Sequence, residues 1–453
     1  MPSLKERRAL SLSAIAAKLT DKTVSGRELV EECLARIEDE SGEGARTFIS
    51  VNAAARSEAD MFDKLRTMGR APSPFAGIPV SIKDLYDIAG ERTRAGAVAL
   101  NNAPVAVEDA PVVARLKAAG FVVIGRTNMT EFAYSGLGLN PHYGTPTSVW
   151  DRNTRHVPGG SSSGAAVSVA DGMAHAALGT DTGGSCRIPA AFNYLTGLKP
   201  TASRVSRRGA IPLSTTLDSF GPIARTVSCC SIIDQIIADE PRNDPPARRP
   251  DQLRIGVLRT LAETGIEPVI ASAYEAALGK LSNAGIALQD FAMPELDELP
   301  ALSESGGISA AESYAWHRDL IGTQGDRYDP RVKSRIMRGA EQSDAHYRST
   351  LARRQKFVEA TARRIEKFDA IVMPTVPIAP PAISAFVSDD EYTRLNLLVL
   401  RNPTIINLMD GCAISIPITA PGQPPVGLML AAGAGRDAAL LSIAATIEEI
   451  AGV

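Results

Sequence analysis

Apolar positions along the first half of the chain alternate between two patterns. Ile78-Pro79-Val80-Ser81-Ile82 and Phe121-Val122-Val123-Ile124-Gly125 are short apolar runs and predict strands. Ala110 to Ala119, stopped by Gly120, predicts a helix, and Ser163 to Met173 predicts a small-residue helix packed closely on a neighbour. Near the start, Leu12, Ile15, Ala16 and Leu19 fall at helical spacing. Ser25-Gly26-Arg27-Glu28 then forms a capping-box pattern ahead of Leu29, Val30, Cys33 and Ile37, so an amphipathic helix pair is expected. The proline-rich stretch from Pro241 to Asp251 can neither feed a sheet nor sit inside a helix, and reads as a surface crossover. The alternation then resumes. Arg254 to Leu258 predicts a strand, Pro268 to Leu281 a helix and Ile286 to Asp290 a strand. A polar, mostly helical stretch from about Glu298 to Ser349 could cap a site. Ala370 to Met373, Ala413 to Ile418 and Val426 to Leu430 predict strands, and Asp437 to Ile450 a last helix. Together these elements predict an α/β protein with a largely parallel sheet carrying helices.

At 453 residues the chain could hold about three ordinary domains or one large α/β unit. Its 44% apolar and 22% charged composition is that of a soluble globular protein. Lys plus Arg is 48 and Asp plus Glu 51, a net charge of −3, which argues against a general polyanion binder. The five cysteines form no CxxC, and the five histidines form no HxH or HxxxH. Neither a disulfide framework nor a metal site is indicated, and a reducing, cytoplasmic compartment fits best. Arg7-Arg8 with the apolar run Ala9 to Ala17 imitates a signal peptide, but Ser11 and Ser13 interrupt it. No run approaches 18 uninterrupted apolar residues, so no membrane span is expected.

Three segments carry chemistry. Gly77 to Asp84 ends an apolar strand in Lys83. Such a lysine either snorkels to solvent or is buried, and burial would lower its pKa and make it a general base. Pro158-Gly159-Gly160-Ser161-Ser162-Ser163-Gly164-Ala165-Ala166 has the glycine spacing of a P-loop but lacks the Lys-Ser/Thr that follows one. Its Gly160-x-Ser162-x-Gly164 matches a nucleophile elbow, yet the preceding Arg152 to Val157 is too polar for the required strand. What remains is a loop presenting serine hydroxyls and amides at a helix start. In Gly179 to Ala190, two glycines precede Ser185, so backbone N–H groups can converge as an oxyanion hole requires. Lys83, Ser161 and Ser185 together compose a Ser-Lys nucleophile system.

These segments resemble the amidase signature family. The resemblance covers most of the chain, is strongest from Gly77 to about Pro222, and returns at Met373-Pro374-Thr375 and from Asn407 to Leu430. It implies a single domain over 1–453, an α/β/α sandwich with a large mixed, mostly parallel central sheet covered by helices on both faces. Within it, 1–70 would hold the N-terminal helices, 71–240 the catalytic core, 241–251 the crossover, and 252–453 the remaining sheet and helical cap. It implies that Lys83 is the catalytic lysine, that Ser161 is the bridging serine in a cis peptide, and that Ser185 is the nucleophile. The Thr182, Gly183 and Gly184 amides would form the oxyanion hole, with the Ser185 amide as an addition. Ser162 would support the network, and Asp181 with Arg187 would be a charge pair holding the loop. No metal or organic cofactor is implied. Cys186, where the family has a branched aliphatic residue, reads as a small apolar packer.

Substrate choice lies outside the shared motifs. Thr130 to Tyr143 and the stretch from about Ser309 to Arg353 are the expected contributors, with Tyr134, Asn140, His142 and Tyr314 as candidate contacts. The leading reading is a free-standing amidase for a small-molecule amide, carbamate or urea-like compound, with no nucleic-acid or membrane partner and a homodimer as default. The alternative is the glutaminase (A-type) subunit of a tRNA-dependent amidotransferase, which Met129-Thr130-Glu131-Phe132-Ala133 resembles.

Overall fold

The computed structural model describes residues 4–241 and 246–452. Its frame is one sheet of eleven strands: β1 (Phe48–Val51), β2 (Pro79–Lys83), β3 (Val122–Thr127), β4 (Ala176–Asp181), β5 (Thr196–Lys199), β6 (Ser219–Ala224), β7 (Arg254–Leu258), β8 (Ala287–Phe291), β9 (Ala370–Pro374), β10 (Cys412–Pro417) and β11 (Gly427–Ala432). Their spatial order is β1-β3-β2-β4-β6-β5-β10-β11-β9-β7-β8. The central strands β2 to β6 and β9 to β11 are buried along their whole length, so both faces of the sheet are covered.

The large mixed sheet flanked by helices is as expected, but it is not mostly parallel. β2 runs parallel to β3 and β4, and β7 to β8 and β9. The other six pairings among the described residues are antiparallel. The physical reason is burial. Antiparallel strands covered on both faces, such as Cys412–Pro417 with only Ser415 polar, present the same near-continuous apolar run as parallel ones, so the pattern conceals direction. Four strands go beyond those expected, β1, β4, β5 and β6, and the last and the second of them show why. β6 contains Gly221 and Pro222, residues that argue against a central strand. β4 is built from Ala-Ala-Leu-Gly-Thr-Asp, too short-chained to read as apolar.

Local signals otherwise hold. Ser25 and Glu28 form the reciprocal capping box at the head of Gly26–Glu38. The stretch after Glu298 is helical, including Gly307–Gln324, Pro330–Met337 and Asp344–Ile365. Residues 242–245 of the expected crossover lie outside the described residues. No helix among the described residues is long and apolar enough to cross a membrane.

Candidate active site

The site grows from the carboxyl ends of two neighbouring parallel strands. Ile82 of β2 registers with Leu178 of β4, so Lys83 lies beside Gly179 and Thr180. Lys83 is fully buried, and its Nζ lies 2.7 Å from Ser161 Oγ and 2.7 Å from Thr180 Oγ1. Burial pushes the ammonium down to about 7, against the opposing fields of Cys186, Asp218 and Asp181. A lysine poised there exists largely as the free amine just above neutrality, and a free amine can accept a proton. Of the two readings of Lys83, the structure selects the buried one.

The Ser161 loop is held by backbone. The Gly160–Ser161 peptide is cis. Gly160 N–H donates to Gly136 O at 2.7 Å, Thr130 N–H to Ser161 O at 3.1 Å, and Gly164 N–H to Asn128 O at 2.9 Å. Close approach explains the glycine: a Cβ on Gly160 would stand 2.5 Å from Gly138 N. Ser162 Oγ meets the Thr180 backbone, at 3.3 Å from its O and 3.4 Å from its N, so it braces β4. Among the described residues no histidine hydrogen-bonds Ser162, which removes the nucleophile-elbow reading.

Asp181 organises the second loop. Its carboxylate accepts from Arg187 Nε at 3.0 Å and a second Arg187 nitrogen at 2.8 Å, and from the Gly184 and Cys186 N–H groups at 2.8 and 3.1 Å. Burial alone would raise its pKa, but the charge and hydrogen bonds of Arg187, with Lys199 and Asn407, hold it well below the usual carboxylate range. Asp181 and Arg187 thus form a buried ion pair that also ties down the Gly184 and Cys186 amides. One expectation changes. The Gly184 N–H is committed to Asp181, so it is not available to a substrate oxygen. Gly184 has a positive φ of 125°, and a Cβ there would sit 2.5 Å from Pro403 Cβ; packing explains this glycine. No hydrogen bond engages the Gly183 or Ser185 N–H among the described residues.

Ser185, Thr182 and Gly183 face a cavity of about 190 Å³. This is small beside the pockets that hold drug-sized ligands. Its walls come from distant segments: Ala133, Tyr134 and Ser135; Leu213 and Leu217; Ser309, Arg335 and Arg338; and Leu400 and Thr404. Lys83 and Ser161 do not line it and are fully buried. Cys186 is buried, its thiol pushed far up by burial, as an apolar packer should be.

Of the candidate substrate contacts, Tyr134 lines this cavity, and Asn140 and Tyr314 do not. Asn140 donates to Gly96 O at 2.9 Å and Met129 O at 2.7 Å and accepts from the His142 and Tyr143 amides, so its hydrogen-bonding capacity is spent on the loop. His142 is tied to Glu131 at 2.9 Å. Tyr314 packs over Gly339 and against the hydrophobic core. Sequence reasoning missed Thr180 and Asp218. Thr182 Oγ1 donates to Asp218 Oδ1 at 2.5 Å, and the Leu213 and Ser214 amides donate to the same carboxyl, so Asp218 ties the nucleophile loop to a cavity wall. Burial raises the Asp218 carboxyl to about 6. Recognising β4 as a strand would have flagged Thr180 beside Lys83.

A sequence profile of the Amidase family matches residues 28–441. The chain belongs to the amidase family. It is 36% identical to 2-amino-5-chloromuconic acid deaminase of Comamonas testosteroni, over 98% of this chain and 96% of that protein. It is also 36% identical to the A-type component of the glutamyl-tRNA(Gln) amidotransferase of Roseiflexus sp. (strain RS-1), over 96% of this chain and 95% of that one. A crystal structure described as an amidase superposes with a TM-score of 0.87 at 28% identity, covering 98% of this chain and all of that one. This amidase is therefore a hydrolase of carbon–nitrogen bonds.

Proposed function

We propose that this amidase cleaves the C–N bond of a small amide, carbamate or urea-like compound through an acyl-enzyme on Ser185. The observations that carry this reading are the buried Lys83 amine, 2.7 Å from Ser161 Oγ, and the cavity that Ser185 lines. Neutral Lys83 takes the Ser161 proton as Ser161 takes that of Ser185. Ser185 Oγ bonds to the substrate carbonyl carbon, and the negative oxygen rests on amides of the 182–185 loop. Collapse breaks the C–N bond, the proton returns through Ser161 to the leaving nitrogen, and ammonia or an amine departs. Water follows the same path to release the acid and free Ser185.

The test is ammonia or amine release by the purified chain. The panel holds aliphatic and aromatic amides, carbamates, biuret-type ureas, amino-substituted unsaturated acids and glutamine, with Ser185→Ala as control. Turnover of a non-glutamine compound that vanishes in Ser185→Ala supports the reading; turnover that survives Ser185→Ala overturns it.

A second reading has one specific support, the full-length similarity to the A-type components of amidotransferases. On that reading the chain releases ammonia from glutamine for a partner protein. Activity confined to glutamine, and appearing only with such partners present, would select it.

A further inference from the structure

The loop 213–218 walls the Ser185 cavity through Leu213 and Leu217, and two carboxylates hold it, one from the core and one from the cap. Asp218 holds it from the core. Its Oδ1 accepts from the Ser214 N–H and its Oδ2 from the Leu213 N–H, both at 3.1 Å, and its own N–H donates to Ser214 O at 3.0 Å. Glu312, on the helix Gly307–Gln324, holds it from the cap. The Glu312 carboxylate accepts from the Ser214 and Thr216 hydroxyls, from the Thr216 N–H at 3.0 Å, and from the Tyr347 hydroxyl of Asp344–Ile365 at 2.7 Å. Ser214 therefore meets both carboxylates, Asp218 through its amide and Glu312 through its hydroxyl.

Glu312 is half-buried and has no cationic partner among the described residues. Its hydrogen bonds go to this loop and to Tyr347, and charge-assisted bonds of that kind fix where the loop stands. Asp218 passes the placement inward, because its Oδ1 also accepts from Thr182 Oγ1 at 2.5 Å. This is the one hydrogen bond that Thr182 makes among the described residues. The rest of the nucleophile loop is tied elsewhere. Ser219 Oγ donates to Asp181 O at 3.0 Å, Thr404 Oγ1 to Gly183 O at 3.4 Å, and the Gly184 and Cys186 amides to the Asp181 carboxylate. Asp218 also acts through its charge. Its field reaches Lys83 alongside those of Cys186 and Asp181, it reaches the buried Tyr86 phenol, and Arg207 opposes it from the other sign.

We propose that Asp218 and Glu312 are positioning residues for the reaction at Ser185. Glu312 docks the 213–218 loop on the cap, and Asp218 carries that placement to Thr182, so that the Gly183 and Ser185 N–H groups stay aimed at the substrate oxygen. The cap thus does more than wall the cavity: its docking sets the amides that receive the negative charge. The inference rests on the function proposed above.

Methanesulfonyl fluoride tests it without a natural substrate. Ser185 Oγ bonds to sulfur, fluoride leaves, and the proton passes through Ser161 to Lys83. Mass spectrometry reads the adduct, and the rate against reagent concentration separates kinact from KI. Thr182→Val should lower kinact by about tenfold or more with KI changed by less than about twofold, and Thr182→Ser, which keeps the hydroxyl, should restore kinact to within about threefold of wild type. Glu312→Ala and Asp218→Asn should lower kinact in the same way, each measured well below its own melting temperature. Asp218→Asn also removes a negative charge that favours the Lys83 ammonium, so the rising limb of labelling near pH 7 should move to lower pH by about half a unit. Glu312→Ala and Thr182→Val should leave that limb in place. Where Asp218→Asn does not fold, Thr182→Val and its serine rescue decide. Wild-type kinact in Thr182→Val or Glu312→Ala overturns the positioning role, as does Thr182→Ser as slow as Thr182→Val, or a rise in KI alone. An unmoved limb in a folded Asp218→Asn overturns its action on Lys83. Wild-type protein that is not labelled at Ser185, or labelling that Lys83→Met leaves unchanged, overturns instead the function proposed above.

Discussion

Lys83 sets activity and stability against each other, and replacing it with methionine separates the two. The side chain is fully buried, and burial lowers its pKa from 10.5 to about 7. That drop corresponds to up to about 5 kcal/mol at about 1.4 kcal/mol per pH unit. It is the free energy by which the native protein disfavours protonated Lys83 relative to the unfolded chain. Methionine fills similar space and carries no charge, so Lys83→Met removes this cost. Against it stand the Ser161 and Thr180 hydroxyls, each of which loses its 2.7 Å partner, at about 1–3 kcal/mol apiece. The two contributions nearly offset near neutrality, so the pH dependence is the sharper observable.

Between about 7 and 10.5 the unfolded wild type binds the lysine proton and the native state does not, so wild-type stability rises with pH. Lys83→Met has no such term. Its stability relative to wild type should therefore fall by about 1.4 kcal/mol for each pH unit between 7.5 and 9.5. Denaturant unfolding at pH 7.5, 8.5 and 9.5 measures this. In parallel, wild-type kcat/KM should climb about tenfold per pH unit below about 7 and level off above it. Lys83→Met should be slower by about 10²–10⁴ without that limb. A stability difference that does not vary with pH would mean that Lys83 titrates alike in both states. It would then be protonated at working pH and unable to act as base, and the mechanism proposed here would fail.

Ser185→Ala should abolish turnover while leaving the melting temperature close to wild type, because the hydroxyl faces the cavity; residual turnover at wild-type rate would point to another nucleophile. Asp181→Ala should cost about 3–5 kcal/mol in chemical denaturation, since it leaves the buried Arg187 charge unmatched and strands the Gly184 and Cys186 amides. Gly184→Ala should destabilise by about 1–3 kcal/mol, because its Cβ would meet Pro403 at 2.5 Å and its φ of 125° disfavours any side chain; an unchanged melting curve contradicts the packing role. Chelation with EDTA should leave the rate unchanged, and loss of activity restored by a divalent cation would require a different chemistry.

Local patterns were legible in the chain. Arg254–Leu258 stands where its apolar run places it, and Ser25 and Glu28 close the capping box that their spacing announces. These signals involve residues within a few positions of one another. β6 escaped because Gly221 and Pro222 are tolerated in a central strand only by the particular neighbours that β4 and β5 supply. Strand direction escaped because burial on both faces erases the alternation that marks an antiparallel ribbon.

The same division runs through the site. The order of residues already sets the chemistry present: a lysine ending an apolar run, a glycine–serine loop, and two glycines before Ser185. Each is a short contiguous motif whose residue types limit what it can do. What those groups are free to do depends on the packed fold. Packing buried Lys83 against Ser161 and Thr180, which lowers its pKa; it spent the Gly184 amide on Asp181; it turned Asn140 inward to hold its own loop. It also assembled the cavity at Ser185 from residues as far apart as Ala133 and Thr404, with Arg335 and Arg338 among its walls. Desolvation, hydrogen-bond satisfaction and charge balance all depend on which distant segments meet, and no contiguous stretch of the chain carries that information.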